Sequence, residues 1–170
     1  MKEERELKRT VKRGVLLSAI SFAAVFALFR FVFGLVYIPT SSMEPTIRAG
    51  SIGIAWRLGF IVRDETEIKR GDIIVFQSEE TGKCLCKRVI GLPGETVTIE
   101  NGRVYIDGKV LEEDYLMQQN GTYSVKNSFE VPEGSVFVMG DNRFHSNDSR
   151  AWGDPYVEMG SIRMKWVFPK

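Results

Sequence analysis

From Gly14 to Phe29 the chain carries no charge, and after a lone Arg30 the apolar run resumes as Phe31-Val32-Phe33-Gly34-Leu35-Val36-Tyr37-Ile38. No polar face appears between Gly14 and Phe29, which argues against a helix packed on a soluble core, since such a helix keeps one polar side. Taken as a helix, Gly14 to Ile38 would measure about 37 Å, enough to cross a hydrocarbon layer of about 30 Å with some tilt. Arg30 would then lie about 24 Å along it, close enough to the far interface for its side chain to reach the headgroups. The run therefore predicts a membrane anchor.

Charge sets the expected orientation. Six basic residues (Lys2, Arg5, Lys8, Arg9, Lys12, Arg13) precede Gly14, against the acids Glu3, Glu4 and Glu6. An excess of lysine and arginine beside a span keeps that side in the cytoplasm. The sequence thus reads as a cytoplasmic tail over 1–13, a single-pass anchor over 14–36 and an extracytoplasmic domain over 37–170, placed at the plasma membrane. A cleavable signal peptide opens in the same way, but it needs small residues at its end, where this run has Phe29 to Phe33, Leu35 and Val36. Beyond position 13 the chain holds 17 of its 23 basic and 19 of its 22 acidic residues, a near-neutral balance that gives no support for a nucleic-acid partner.

The remainder reads as mainly β. Ser51 to Trp56, Asp72 to Gln77, Lys83 to Ile90, Thr96 to Glu100, Arg103 to Ile106, Ser135 to Met139 and Ser161 to Phe168 are short runs rich in Val, Ile, Phe and Trp between turn residues. Asn101-Gly102 is the strongest hairpin signal, because a type I′ turn needs φ > 0 at both central positions. Asp107-Gly108 follows as a second turn, and a weak helical period runs from Leu111 to Gln119. Cys84 and Cys86 are one residue apart, too close for an unstrained disulfide and too few for a zinc site, so they read as packing residues.

Chemistry enters at Ile38-Pro39-Thr40-Ser41-Ser42-Met43-Glu44-Pro45-Thr46. The prolines fix the backbone on both sides of three hydroxyl residues and forbid a helix, while Tyr37, Ile38, Met43 and Ile47 supply an apolar border. A serine nucleophile needs a base. His145, the one histidine, lies in the polar loop Asn142 to Asp148. The other candidate is Lys87, which on an extended strand shares a face with Leu85 and Val89, so that burial would lower its pKa toward that of a usable base. Arg88 cannot serve, because a guanidinium does not deprotonate. A third cluster, Gly140-Asp141-Asn142-Arg143-Phe144-His145-Ser146-Asn147-Asp148-Ser149-Arg150, offers Ser146 to orient a lysine and Asp148 with Arg150 as a bracing pair.

Together these segments resemble the type I signal peptidases, membrane-bound serine proteases of the Ser-Lys dyad class. Four stretches carry the resemblance in the family's order: Pro39 to Thr46, Gly71-Asp72-Ile73-Ile74-Val75-Phe76, Lys87-Arg88-Val89-Ile90-Gly91-Leu92-Pro93-Gly94, and Gly140 to Arg150. The resemblance implies a β-rich catalytic domain of antiparallel sheets behind one transmembrane helix. It implies Ser42 as nucleophile, Lys87 as general base, and Thr40 with the Ser42 N–H as oxyanion hole. Ser146 would orient the lysine, supported by Asp148 and Arg150, and Ser41 has no counterpart. Ile38, Met43, Leu85 and Cys86 would line pockets for alanine-like side chains, with Cys86 departing from the usual bulkier aliphatic. The implied substrates are secretory preproteins cut after Ala-x-Ala sites, without metal or cofactor, at a lipid bilayer; oligomeric state is left open. A self-cleaving Ser-Lys repressor would carry a DNA-binding region in place of the anchor, and the eukaryotic reticulum enzyme has histidine in place of the lysine. A conjugation-transfer or mitochondrial inner-membrane peptidase would use the same residues, and a membrane-tethered β module would need neither Ser42 nor Lys87.

Overall fold

The computed structural model describes residues 2–57, 68–117 and 121–168. A helix α1, Lys2–Ala27, continues through one widened turn, Leu28–Val32, and gives way at once to strand β1, Phe33–Ile38. The charged tail is therefore helical as well, braced by Glu4–Lys8 at 2.6 Å and Glu6–Arg9 at 3.9 Å, pairs one helical turn apart. The apolar side chains of α1 find no cover in the protein: Leu17, Ile20, Phe22 and Phe26 are each more than half exposed. Glu4–Val32 is the one helix among the described residues with the length and composition to cross a membrane.

The helix ends sooner than the apolar run suggested. Phe33 to Ile38 belongs to the sheet, paired residue for residue with β2 (Ser51–Trp56), Phe33 opposite Trp56 and Ile38 opposite Ser51. Gly34 and Ile38 face inward while Leu35 and Tyr37 face out. Hydropathy cannot tell these six residues from the end of a span; the partner strand decides.

The other strands are β3 (Ile73–Gln77), β4 (Cys84–Gly91), β5 (Thr96–Glu100), β6 (Arg103–Ile106), β7 (Lys109–Val110), β8 (Ser128–Glu130), β9 (Ser135–Met139), β10 (Tyr156–Glu158) and β11 (Ile162–Phe168). They form a seven-stranded sheet ordered β1-β2-β11-β3-β4-β9-β10 and a four-stranded sheet ordered β7-β6-β5-β8, antiparallel throughout. All seven runs expected as strands are strands, within a residue or so at their ends. Asn101 and Gly102 both take positive φ, 50° and 78°, and turn β5 into β6 as their residue types require. The weak helical period after Leu111 does not become a helix: residues 111–117 are irregular, and 118–119 lie outside the described residues.

Three apolar clusters hold the domain. Ile90, Phe137 and Met139 of the large sheet pack on Val97, Ile99, Val104, Ile106 and Phe129 of the small one. Ile74, Phe76, Val89, Val136 and Val138 cover one face of the large sheet, and Ile38, Met43, Ile47, Ile73, Val75, Cys86 and Trp166 form the third cluster. The central strands β3 and β4 thus separate two apolar layers, and β4 brings polar residues between them.

Candidate active site

Ile38 ends β1 in the third cluster, Thr40 is still extended, and Ser41–Met43 make a single 3-10 turn that buries Ser42 and Met43. That one turn is the only helical geometry between the prolines, a small correction to the expectation of none. Glu44 then leads away in extended form, as the residue before a proline must.

β4 delivers the lysine. Its register against β3 sets Lys87 opposite Ile74 and Cys86 opposite Val75, so Lys87 belongs to the layer of Leu85, Val89 and Phe76. Lys87 is 4% exposed and its Nζ lies 2.8 Å from Ser42 Oγ, with a second contact of 3.2 Å to the Cys86 carbonyl. Burial pushes its ammonium below the ordinary lysine value, against the opposing pull of Asp148. Thr40 Oγ1 approaches Ser42 Oγ at 3.4 Å.

The third cluster closes over this pair. Asn142 N donates to the Ser42 carbonyl at 3.1 Å and its side chain donates to the Ser41 carbonyl at 3.2 Å. A Cβ at Gly140 would overlap both the Ser42 carbonyl oxygen and Ser146 Oγ, so only glycine permits this approach. Asp148 accepts from Gly140 N at 3.0 Å and from Arg150 Nε and Nη2, both at 2.8 Å, while Arg150 Nη2 also donates to the Arg143 carbonyl at 2.9 Å. Asp148 and Arg150 form an ion pair in which Asp148 is fully buried and Arg150 nearly so. Ser146 is placed at Gly140, but its buried hydroxyl has no hydrogen-bond partner among the described residues, so the expected bond to Lys87 is not made here.

The four pocket residues divide. Ile38, Met43 and Cys86 pack in one cluster, whereas Leu85 lies in the other layer with Ile74 and Phe76. Burial pushes the Cys86 thiol up to about 12, which keeps it protonated and unreactive. Cys84 is exposed, and both cysteines are free. His145 is exposed, with its ring 3.2 Å from Asn142 Oδ1. No group of three His, Cys, Asp or Glu among the described residues is arranged to hold a metal.

Several supporting residues escaped the sequence reading. Arg88, dismissed as a base, donates to both oxygens of Asp141, to the Gly71 carbonyl at 2.8 Å and to Thr46 Oγ1 at 3.3 Å. Its guanidinium lies 3.9 Å over the ring of Tyr115. Tyr115 OH donates to Glu113, Glu113 pairs with Arg143, and Arg143 donates to the Gly140 carbonyl at 3.1 Å. The circuit begins beside Lys87 and returns beside Ser42. Its one sequence signal was a charged residue, Arg88, on a strand that must be buried.

The family described as signal peptidase, peptidase S26, matches residues 9–169. The chain belongs to this family. It is 38% identical over 156 residues to signal peptidase I U of Bacillus subtilis strain 168, covering 84% of this chain and 79% of that one. It is 38% identical to a probable signal peptidase I-1 of Synechocystis, covering 84% and 74%, and 30% identical to signal peptidase IB of Staphylococcus aureus, covering 95% and 93%. A crystal structure of a signal peptidase I from Enterococcus faecalis superimposes with a TM-score of 0.50 at 37% identity, over 58% of this chain and 95% of that one. The chain is therefore a serine peptidase of the signal peptidase I type, with that family's β architecture behind an apolar N-terminal helix.

Proposed function

We propose that this signal peptidase removes signal peptides from exported preproteins after small residues of the Ala-x-Ala type, with Ser42 as nucleophile and Lys87 as general base. The observation that carries the reading is the 2.8 Å approach of Lys87 Nζ to Ser42 Oγ in a buried setting. Neutral Lys87 takes the Ser42 proton as Oγ attacks the scissile carbonyl. The oxyanion is held by the Ser42 N–H and the Thr40 hydroxyl. Lys87 returns the proton to the departing amine of the mature protein, leaving the signal peptide as an ester on Ser42. Water, deprotonated by Lys87, then cleaves that ester.

When Lys87 becomes an ammonium it needs acceptors. Ser42 Oγ and the Cys86 carbonyl are at hand, and the unpartnered Ser146 hydroxyl is the third acceptor we assign. Asp148 and Arg150 hold that loop. Ile38, Met43 and Cys86 form the apolar floor for the small side chains of the substrate, whereas Leu85 packs in the opposite layer. The helix anchors the enzyme in the plasma membrane with its N-terminus in the cytoplasm, as the basic flank favours. No metal or cofactor enters the reaction.

Cleavage of a preprotein with an Ala-x-Ala site, in detergent, by wild type, Ser42→Ala, Ser41→Ala, Lys87→Ala and His145→Ala tests the assignment. Ser42→Ala and Lys87→Ala should be inert, with Ser41→Ala and His145→Ala active. A dead His145→Ala beside a working Lys87→Ala would replace the base, and an inert wild type would remove the substrate class.

A further inference from the structure

Where the helix meets the sheet, a cleft of about 600 Å³ opens between Phe26, Phe29 and Arg30 of the helix, Gly34 and Leu35 of β1, and Arg57 just after β2. Arg57 is tied to the helix end twice. Its N–H donates to the Val32 carbonyl at 2.8 Å and its Nη1 donates to the Arg30 carbonyl at 3.2 Å. Two guanidiniums thus share one apolar cleft, and neither has a carboxylate partner among the described residues. Gly34 leaves room for this: a Cβ there would lie 2.8 Å from Arg57 Nη2 and 2.6 Å from Met164 Sδ. Beside the cleft, Phe29 packs tilted on Phe33 and Phe33 meets Trp56 edge to face, with ring centroids 6.4 and 5.3 Å apart. Aromatic rings and arginines at the end of an apolar helix are the composition of a membrane–water boundary.

We infer that this cleft binds the phosphodiester of an anionic glycerophospholipid, in the leaflet that faces the catalytic domain. Arg30 and Arg57 receive the phosphate, and one acyl chain lies along Phe26, Phe29 and Leu35. Charge complementarity selects the headgroup: a zwitterionic lipid brings its own cation to a place that already holds two, whereas phosphatidylglycerol brings only the anion. Paired guanidiniums suit phosphate because their planar forks can donate to two oxygens at once. The site rests on the membrane anchorage proposed above and extends it to a specific lipid contact.

The test uses the full chain in phosphatidylcholine vesicles, with spin-labelled phosphatidylglycerol or spin-labelled phosphatidylcholine as the probe and motional restriction of the label as the readout. Wild type should restrain the glycerol lipid preferentially, by about fivefold for each guanidinium engaged. Arg57→Gln and Arg30→Gln should each remove about that factor, while Arg57→Lys keeps most of it. Gly34→Ala, which displaces the Arg57 head without removing charge, should weaken the preference too. Equal restraint of both lipids by wild type, an unchanged preference in Arg57→Gln, or an equal loss in Arg13→Gln at the other end of the helix would each overturn the site. Flotation of the same vesicles separates the two ideas. Variants that float but lose selectivity support the cleft, whereas wild type that fails to float removes the anchorage itself and the cleft with it.

Discussion

Arg88 meets Asp141 edge to edge, Nε to Oδ1 at 2.8 Å and Nη2 to Oδ2 at 2.6 Å, with both side chains nearly closed off from solvent. Each is the immediate neighbour of a residue that shapes the site, Lys87 on β4 and Gly140 after β9. The pair therefore fixes the distance between the strand that carries Lys87 and the loop that covers Ser42. Asp141→Asn leaves a buried guanidinium without its counter-charge and should cost about 3–5 kcal/mol, read as a lower denaturant midpoint in detergent. Replacing both partners, Arg88→Met with Asp141→Leu, should recover most of that stability and little of the activity.

Lys87 should give the enzyme a distinctive dependence on pH. Below its lowered folded pKa the lysine is charged in both the folded and unfolded states, and its buried charge works against the fold. As pH rises from that lowered value toward the ordinary 10.5, the folded lysine releases its proton before the unfolded one does, so stability increases. On the proposed mechanism activity should rise through the same lower limb, because only the neutral amine can take the serine proton. Lys87→Met should be inactive, more stable than wild type at the acid end of this window, and without the rise in stability that the lysine gives across it. Thermal unfolding midpoints of the two proteins over that range make the comparison; parallel curves would refute the charge assignment.

Thr40 approaches Ser42 Oγ at 3.4 Å, and on the proposed mechanism its hydroxyl donates to the oxyanion. Thr40→Val keeps the shape and removes the donor, so kcat should fall by about a hundredfold or more with KM little changed. Thr40→Ser should restore most of the rate. A Thr40→Val enzyme with wild-type kcat would leave the Ser42 N–H as the sole donor.

Tyr115 supports Arg88 through its ring face and Glu113 through its hydroxyl, and these contacts separate cleanly by substitution. Tyr115→Phe keeps the cation over the ring and should lose little. Tyr115→Leu removes an interaction of about 1–2 kcal/mol in a desolvated place and should lower both unfolding midpoint and kcat. If the two variants unfold alike, the ring face contributes nothing.

The sheet was legible wherever a strand has its own alternation or its own turn. Asn101-Gly102 specified the β5–β6 hairpin through backbone preference alone, and the apolar run of β9 marked a strand buried on both faces. The strands that escaped are short or ambiguous for stated reasons. β7, β8 and β10 have two or three residues each, too few to show a period, and β1 is hidden inside an apolar run that only its pairing with β2 converts to strand. At the site, Ser42 and Lys87 were legible from local chemistry and motif order, since each needed only a strand or a pair of prolines to place it. The contacts of Arg88 with Asp141 and with Tyr115, and of Glu113 with Arg143, were not. Those contacts join segments tens of residues apart, and nothing local distinguishes a buried arginine from a solvated one. Leu85 shows the limit in the other direction: adjacency to Cys86 suggested a shared pocket, but alternation along β4 sends the two side chains to opposite layers.

Strand β1 begins at the residue after the helix, with no loop between. Ten residues lead from Val32 to Ser42, and six of them are strand locked to β2 over its whole length. From Phe33 to Ile38 the chain advances about 17 Å in a stiff ladder. On the proposed anchorage, this segment is a ruler standing on the bilayer. It fixes the height at which a peptide bond can be cut, so a substrate is measured from the membrane as well as read at its small residues.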